Sequence, residues 1–297
     1  MTPISDSAYI YKLRHWIDMN NLDWCKLSGN PNAIHLLEQN PTKIDWRRLS
    51  SNTNAIHLLE KNLDKINWRR LSSNPNAIHI LKKNQDKICW DKLSLNPNAI
   101  HLLEKNKTKL NWHFLSRNPN ALRLIEKEPQ YAEWSWLSSN PNAIQLLEQN
   151  KTKICWSRLS ANPNAIHLLQ QNEDKVDWVW LSENQNAIHI LEQNPEKISW
   201  KDLSVNSNAI HILEKNHDKI DWCSLSENPN AIHILEQNPQ KVVWYWLSDN
   251  PSIFEKKINY MFISKRMNII REELMIKCMH PRRLEKWLQM GGEIDDF

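Results

Sequence analysis

The stretch NPNAIHLLEQNPTKIDW, Asn30 to Trp46, spends three asparagines and two prolines on seventeen residues, in a chain of 297 that holds only three glycines. The stretch recurs. Trp24, Trp46, Trp68, Trp90, Trp112, Trp134, Trp156, Trp178, Trp200, Trp222 and Trp244 stand 22 residues apart without an insertion or deletion between them. A fixed period in this range marks a solenoid, in which each unit buries its apolar face against its neighbours.

Each unit carries two helix signals. In the half beginning at Asn74, the residues Ala77, Ile78, Ile80 and Leu81 fall on one helical stripe and His79 points away from it. Asn74 is a suitable N-cap and Pro75 suits the first helical position, where its missing N–H costs nothing. Asn84 is the best non-glycine residue for a left-handed C-cap. The second half, from Asn40-Pro41 through Trp46 and Leu49 to Asn52, reads as another helix of about 8–9 residues, too short to stand alone in water. The expectation is an all-α solenoid of about eleven two-helix repeats over residues 23–250. A capping helix is expected over 1–22, and a helical cap or docking segment over 251–297, its last helix running from Pro281 to Gly291. An open chain of this kind would extend on the order of 100 Å. The rival is a leucine-rich-like horseshoe, since Ile44 and Trp46 alternate as a strand would, but the pattern L-x-x-L-x-L-x-x-N fits no frame.

Hydrophobic residues make up 40% of the chain and charged residues 24%, a folded rather than disordered balance. No apolar run approaches the roughly 20 residues of a membrane helix, and the first residues lack the layout of a signal peptide. Five cysteines without a CxxC pair fit free thiols in an intracellular protein, in a host cytoplasm or a virion. No membrane partner is expected.

The unit NPNAIxLLExNPxKIxWxxLS resembles the tryptophan- and asparagine-rich repeats of proteins encoded by giant, mimivirus-like DNA viruses. The tail MHPRRLEKWLQMGGEIDDF resembles C-termini of the same proteins. The resemblance spans Trp24 to Trp244 and implies viral origin and action inside an infected cell or a virion. It brings no catalytic residue and no cofactor, because the family has no assigned activity.

Two ladders invite functional readings. His35, His57, His79, His101, His167, His189, His211 and His233 share one repeat position. A common metal would need ligand atoms about 2.0–2.1 Å from one ion, which side chains a helix spacing apart do not supply. The row reads as a partly exposed polar position. A lysine ladder from Lys43 to Lys241 reads as a solvated, charge-balanced face, since acids precede many of its members and net charge is only +4. No phosphate loop, GxSxG or HExxH motif is present, and no enzyme is expected.

The most variable positions follow each ladder tryptophan by one and two. Among them Arg47, Arg48, Arg69, Arg70, Phe114, Trp136, Trp180, Tyr245 and Trp246 form the candidate partner-binding edge, of residue types that anchor interfaces. The partner expected is a protein, viral or host. Single-stranded nucleic acid, contacted by the four arginines, is the alternative. The unit at Glu128–Trp134, EPQYAEW, loses the usual asparagine, lysine and isoleucine and marks either a bend or tolerated drift.

Overall fold

A computed structural model describes residues 9–290, apart from the side chain of Cys278. Residues 1–8 of the expected N-terminal cap, and Gly291 as a helix stop, lie outside the described residues. The chain divides into two units, Leu13–Phe254 and a second one formed by residues 1–12 with 255–297.

The larger unit is the repeat array, all-helical as its periodicity implies. One repeat contains a tryptophan helix, such as Trp178–Glu183, then a second helix, Ile188–Gln193, then a short 3-10 turn, Pro195–Lys197. The half that reads in sequence as one helix from Asn40 is therefore split in two. Ile44 and Asp45 are extended, and the Asp45 carboxylate accepts the Arg48 N–H to start the helix at Trp46. A side-chain acceptor three residues before its donor is an N-cap, and it makes Asp45 a boundary rather than a helical residue.

The asparagines explain the near-absence of glycine, though not through left-handed backbone. Asn84 has φ −131° and ψ 54°. Its amide reaches back to the Ile80 carbonyl at 2.9 Å, so a side chain caps the helix and no positive φ is needed. The asparagine that opens each second helix does more. Asn74 accepts the Asn76 N–H on its oxygen, and its Nδ2 donates to the carbonyls of Ser50 and Asn52 in the preceding repeat, at 3.2 and 3.0 Å. It is 1% exposed, and every polar atom it buries has a partner.

A serine ladder runs beside it. Ser50 donates to the Trp46 carbonyl and accepts the Asn67 N–H of the next repeat at 2.9 Å. Around these polar rungs lie Leu49, Ala55 and Leu59, each 0% exposed, and their equivalents in other repeats. Removing this apolar surface from water is the main driving force, while the asparagine and serine rungs fix the register between repeats.

The array does not remain open. Asn30 of the first repeat donates to the Ser248 and Asn250 carbonyls of the eleventh, at 3.1 and 3.0 Å. The Asp23 N–H meets Ser248 Oγ at 2.8 Å, and Asn32 Nδ2 meets the Pro251 carbonyl at 2.9 Å. The Asn30 and Asp23 bonds are those that every other neighbouring pair makes, and the Asn32 bond is made by all but the tenth and eleventh, where Ser252 replaces the asparagine; here they span 218 to 225 residues of sequence. Identical contacts between last and first repeats leave no rise per turn, so this unit is a closed ring. Eleven equal steps turn about 33° each. The elongated solenoid expected from the sequence is corrected here: every repeat end that an open array would expose is covered by another repeat.

The two ends of the repeat array meet inside the eleventh repeat. Its tryptophan helix, Trp244–Leu247, comes from the C-terminal side. Its closing 3-10 turn, Met19–Asn21, comes from the N-terminal side, followed by the buried Leu22 where most other repeats carry Ile or Val. Arg14 ties the halves together, its N–H on the Ile253 carbonyl at 2.9 Å and its Nε on the Ser252 carbonyl at 2.8 Å. Trp16 lies against Trp244, with ring centroids 6.3 Å apart. The expected capping helix over 1–22 is therefore not present in the described part of that span. Tyr9–Leu13 is a strand, β1, paired with β2, Phe254–Ile258. A ring end needs joining rather than capping. Beyond β2 the second unit contains a long helix, Tyr260–Cys278, and a shorter one, Pro281–Gln289.

Candidate functional site

Successive tryptophan helices pack directly on one another, whereas successive second helices stand further apart. In a closed ring the more closely spaced layer is the inner one. The exposed face of each tryptophan helix, opposite its buried leucine and serine, therefore borders the ring's interior. That face carries three positions: one, two and five residues after the tryptophan. The sequence reading found the first two and missed the third, which holds Arg117, Glu183, Glu227 and Asp249.

The ladder tryptophans themselves are half-buried, less covered than an inter-layer core would make them. Nine of the eleven are roofed by the lysine nineteen residues on. Lys175 Nζ stands 4.8 Å from the Trp156 ring centroid and Lys197 Nζ 4.5 Å from that of Trp178. The lysine ladder is thus a set of cation–π lids that remain solvated on their outer side. The irregular unit obeys the same geometry. Tyr131 occupies the lysine position and stacks on Trp112 at 5.0 Å, and Glu128 keeps the backbone angles of the asparagine it replaces, so no bend forms.

The histidines pair rather than chelate. His57 Nε2 lies 2.9 Å from Glu38 Oε1, and His79, His167, His211 and His233 reach Glu60, Glu148, Glu192 and Glu214 in the same way. Each pair staples neighbouring second helices at half-exposed positions, where such bonds contribute little singly. Among the described residues no group of three or more His, Cys, Asp or Glu could hold a metal ion. Cys25, Cys89, Cys155 and Cys223 are free thiols.

The inner face is polarised. In repeats two to four, Arg47, Arg69, Arg70 and Lys92 line a pocket of about 460 Å³ with Asn67, Ser73 and Leu95. Arg48 leans away from it towards Asp249, at 3.9 Å. Across the ring, repeats eight and nine present Val179, Trp180, Glu183, Lys201, Asp202 and Val205, and the eleventh, beside the first, presents Tyr245 and Asp249. Burial raises the Glu183 carboxyl above its usual range, and the charge of Asp202 adds to the rise. Burial also raises Glu227, against the opposing pull of Lys26.

The candidate aromatics divide into two groups. Trp136 is clamped between Arg158 at 3.5 Å and Arg117 at 4.4 Å, and its indole N–H donates to His113 Nδ1 at 3.0 Å. Phe114 lies under Lys92 at 4.6 Å, and Trp246 under Lys26 at 3.9 Å. These three fill spaces between repeats. Trp180 and Tyr245 are open, 42% and 46% exposed. Lys26 itself was not legible as special. Only 4% exposed, it bridges Asp249 at 3.3 Å and Glu227 at 3.8 Å across the seam, and only ring closure brings these groups together.

The family model for the periplasmic copper-binding protein NosD matches residues 39–196. That span is more than half of the chain, and on that measure the chain belongs to the NosD family. The match begins and ends inside the repeat array, so it concerns the repeats and neither chain end. No curated protein and no solved structure matches the chain. No helix among the described residues is long and apolar enough to cross a membrane.

Proposed function

We propose that the ring is a non-enzymatic scaffold that binds a protein partner along its inner face. The observation that carries the reading is the contrast within one frame. The backbone hydrogen bonds repeat from unit to unit, while the inward side chains change from a cationic arc at Arg47, Arg69, Arg70 and Lys92 to an open aromatic and acidic arc at Trp180, Glu183 and Tyr245. Residues that only built the ring would have no reason to differ from unit to unit. The partner that fits is a protein segment with acidic groups facing one arc and apolar or basic groups facing the other. The proposal includes a setting, the cell infected by a giant virus or its virion, and the support for it is the resemblance of the repeat sequence alone. Copper is not part of the proposal: five of the eight ladder histidines each pair with a glutamate of a neighbouring repeat, and among the described residues no group of three or more His, Cys, Asp or Glu could hold a metal ion.

The test is affinity capture from infected cells with the full chain and two variants, Arg69→Ala/Arg70→Ala and Trp180→Ala. A specific protein retained by the parent and lost by a folded variant supports the reading. Equal capture by all three contradicts it.

One observation favours a second reading. The arginine-lined pocket also suits the phosphates of single-stranded nucleic acid. Fluorescence anisotropy with a labelled oligonucleotide would then show binding that weakens steeply with salt and with alanine at Arg47, Arg48, Arg69 and Arg70. No binding at low salt removes this reading.

A further inference from the structure

The long helix of the second unit is unlike any helix of the ring. It runs nineteen residues, Tyr260–Cys278, where ring helices have four to six. Its apolar side chains are uncovered: Tyr260 is 75% exposed, Ile263 37%, Met267 58%, Ile270 39% and Leu274 56%, and Met261, Ile269, Met275 and Ile276 are exposed outside this row. Their spacings are three, four, three and four residues, the alternation of a heptad seam. A groove of about 500 Å³ runs along the stripe at Met267, Ile270 and Leu274, and every residue lining it belongs to this helix. The stripe is therefore a coiled-coil half without its other half.

The charges beside the stripe identify the missing half. With Tyr260, Met267 and Leu274 at the a positions and Ile263 and Ile270 at d, the flanking e and g positions hold Ser264, Arg266, Arg271 and Glu273. A parallel copy would set Arg266 of one helix against Arg271 of the other, which repels. An antiparallel copy pairs g with g and e with e. It sets Arg266 against Glu273 on both sides of the two-fold axis and leaves Arg271 facing Ser264. In the same register Met267 meets Ile270 and Ile263 meets Leu274, so four apolar layers close together with the ion pairs, while Tyr260 meets Lys277 at either end.

We infer that the chain forms a homodimer through an antiparallel coiled coil of helix Tyr260–Cys278, with Arg266 of each copy paired to Glu273 of the other. The inference is independent of what the ring's inner face binds.

Sedimentation equilibrium of the full chain at tens of micromolar tests it. The expected mass is twice 35.3 kDa. Leu274→Asp should give monomers with an unchanged circular dichroism spectrum, because the side chain is exposed within one copy. Arg266→Glu and Glu273→Arg should each weaken dimerisation about tenfold. Combining both changes in one chain, or mixing the two single variants, should restore it. A parent chain that is monomeric throughout overturns the inference. So does an Arg266→Glu variant that dimerises as well as the parent or better, the outcome a parallel pair would give.

Discussion

The seam between repeats eleven and one and the interface between repeats seven and eight share their hydrogen-bonded rungs and differ in the continuity of the chain. At the inner interface Asn184 donates to the Ser160 and Asn162 carbonyls, both at 3.0 Å. At the seam Asn30 makes the same two bonds to Ser248 and Asn250. What the seam adds is specific to it: the buried Lys26 with its two carboxylates and two aromatic rings, the Arg14 bridge, and the contact of Trp16 with Trp244. An interface without a covalent link loses the effective concentration that a short connection supplies. The extra contacts sit where that loss has to be offset, and they make the seam a device for closure rather than one more repeat.

The largest expected effect breaks an inner rung. Asn184→Ala removes two buried hydrogen bonds and leaves the Ser160 and Asn162 carbonyls without those donors, a loss of about 2–4 kcal/mol. Chemical denaturation should show it as a lower midpoint for the whole unit. Asn30→Ala removes the same bonds at the seam. There the ring can respond by opening, so amide exchange should quicken around residues 14–32 and 244–254 before global unfolding.

The next effect separates the seam from its equivalents. Lys26→Ala should cost about 2 kcal/mol, because it takes the cation from the partly covered Glu227 and leaves Asp249 with only the longer contact to Arg48. Arg70→Ala, at the same repeat position but exposed, should stay within about 0.5 kcal/mol. Equal losses at the two sites would mean that the seam carries no special role.

Smaller still is the response of a tryptophan and its lid. Trp156→Ala should cost about 2 kcal/mol, below the value for a fully buried tryptophan because its ring is half-exposed. Lys175→Ala should cost about 0.5 kcal/mol, the scale of an exposed cation–π contact. Both losses should appear as exchange near residues 150–180.

The smallest effect is a pH dependence. The Glu183 carboxyl is raised in the folded ring, so the folded state holds a proton there that the unfolded chain releases. Its contribution to stability is present below the ordinary carboxylate range and declines as pH rises through the folded value. Glu183→Gln should remove that part of the decline and leave the protein slightly more stable at neutral pH. A steeper decline in the variant would reverse the sign and contradict the burial of this group.

The repeat, its helical content and its capping residues were legible because each is set by local chemistry repeated eleven times. The 22-residue spacing of the tryptophans, Asn-Pro at helix starts and the Ala-Ile-x-Leu-Leu stripe all report on contacts within one unit or with the next. Closure was not legible, because it depends on a rotation of about 33° per unit, a sum of small packing angles that no single residue encodes. The clues at the ends were present but unlike the repeat. Leu22 stands two residues before Trp24, as Ile44 stands before Trp46, yet the segment ahead of it reads as a helix until Arg14 is seen to bind the Ser252 and Ile253 carbonyls. Of the candidate edge, the exposure of Arg69, Arg70 and Trp180 followed from their place on the helix. The clamp on Trp136 did not, since it draws Arg117 and Arg158 from two neighbouring repeats.

Ring closure is most directly tested by a distance. Cys25 and Cys223 are native, exposed and at the same repeat position, nine repeats apart along the chain but two steps apart across the seam. With the other three cysteines changed to serine, spin labels on this pair can be compared with labels on Cys25 and an Arg69→Cys variant, two steps apart in the other direction. The ring predicts closely similar distance distributions for the two pairs. A Cys25–Cys223 distance on the order of 70–90 Å, nine helix-packing steps laid end to end, would mean an open array and would contradict the account.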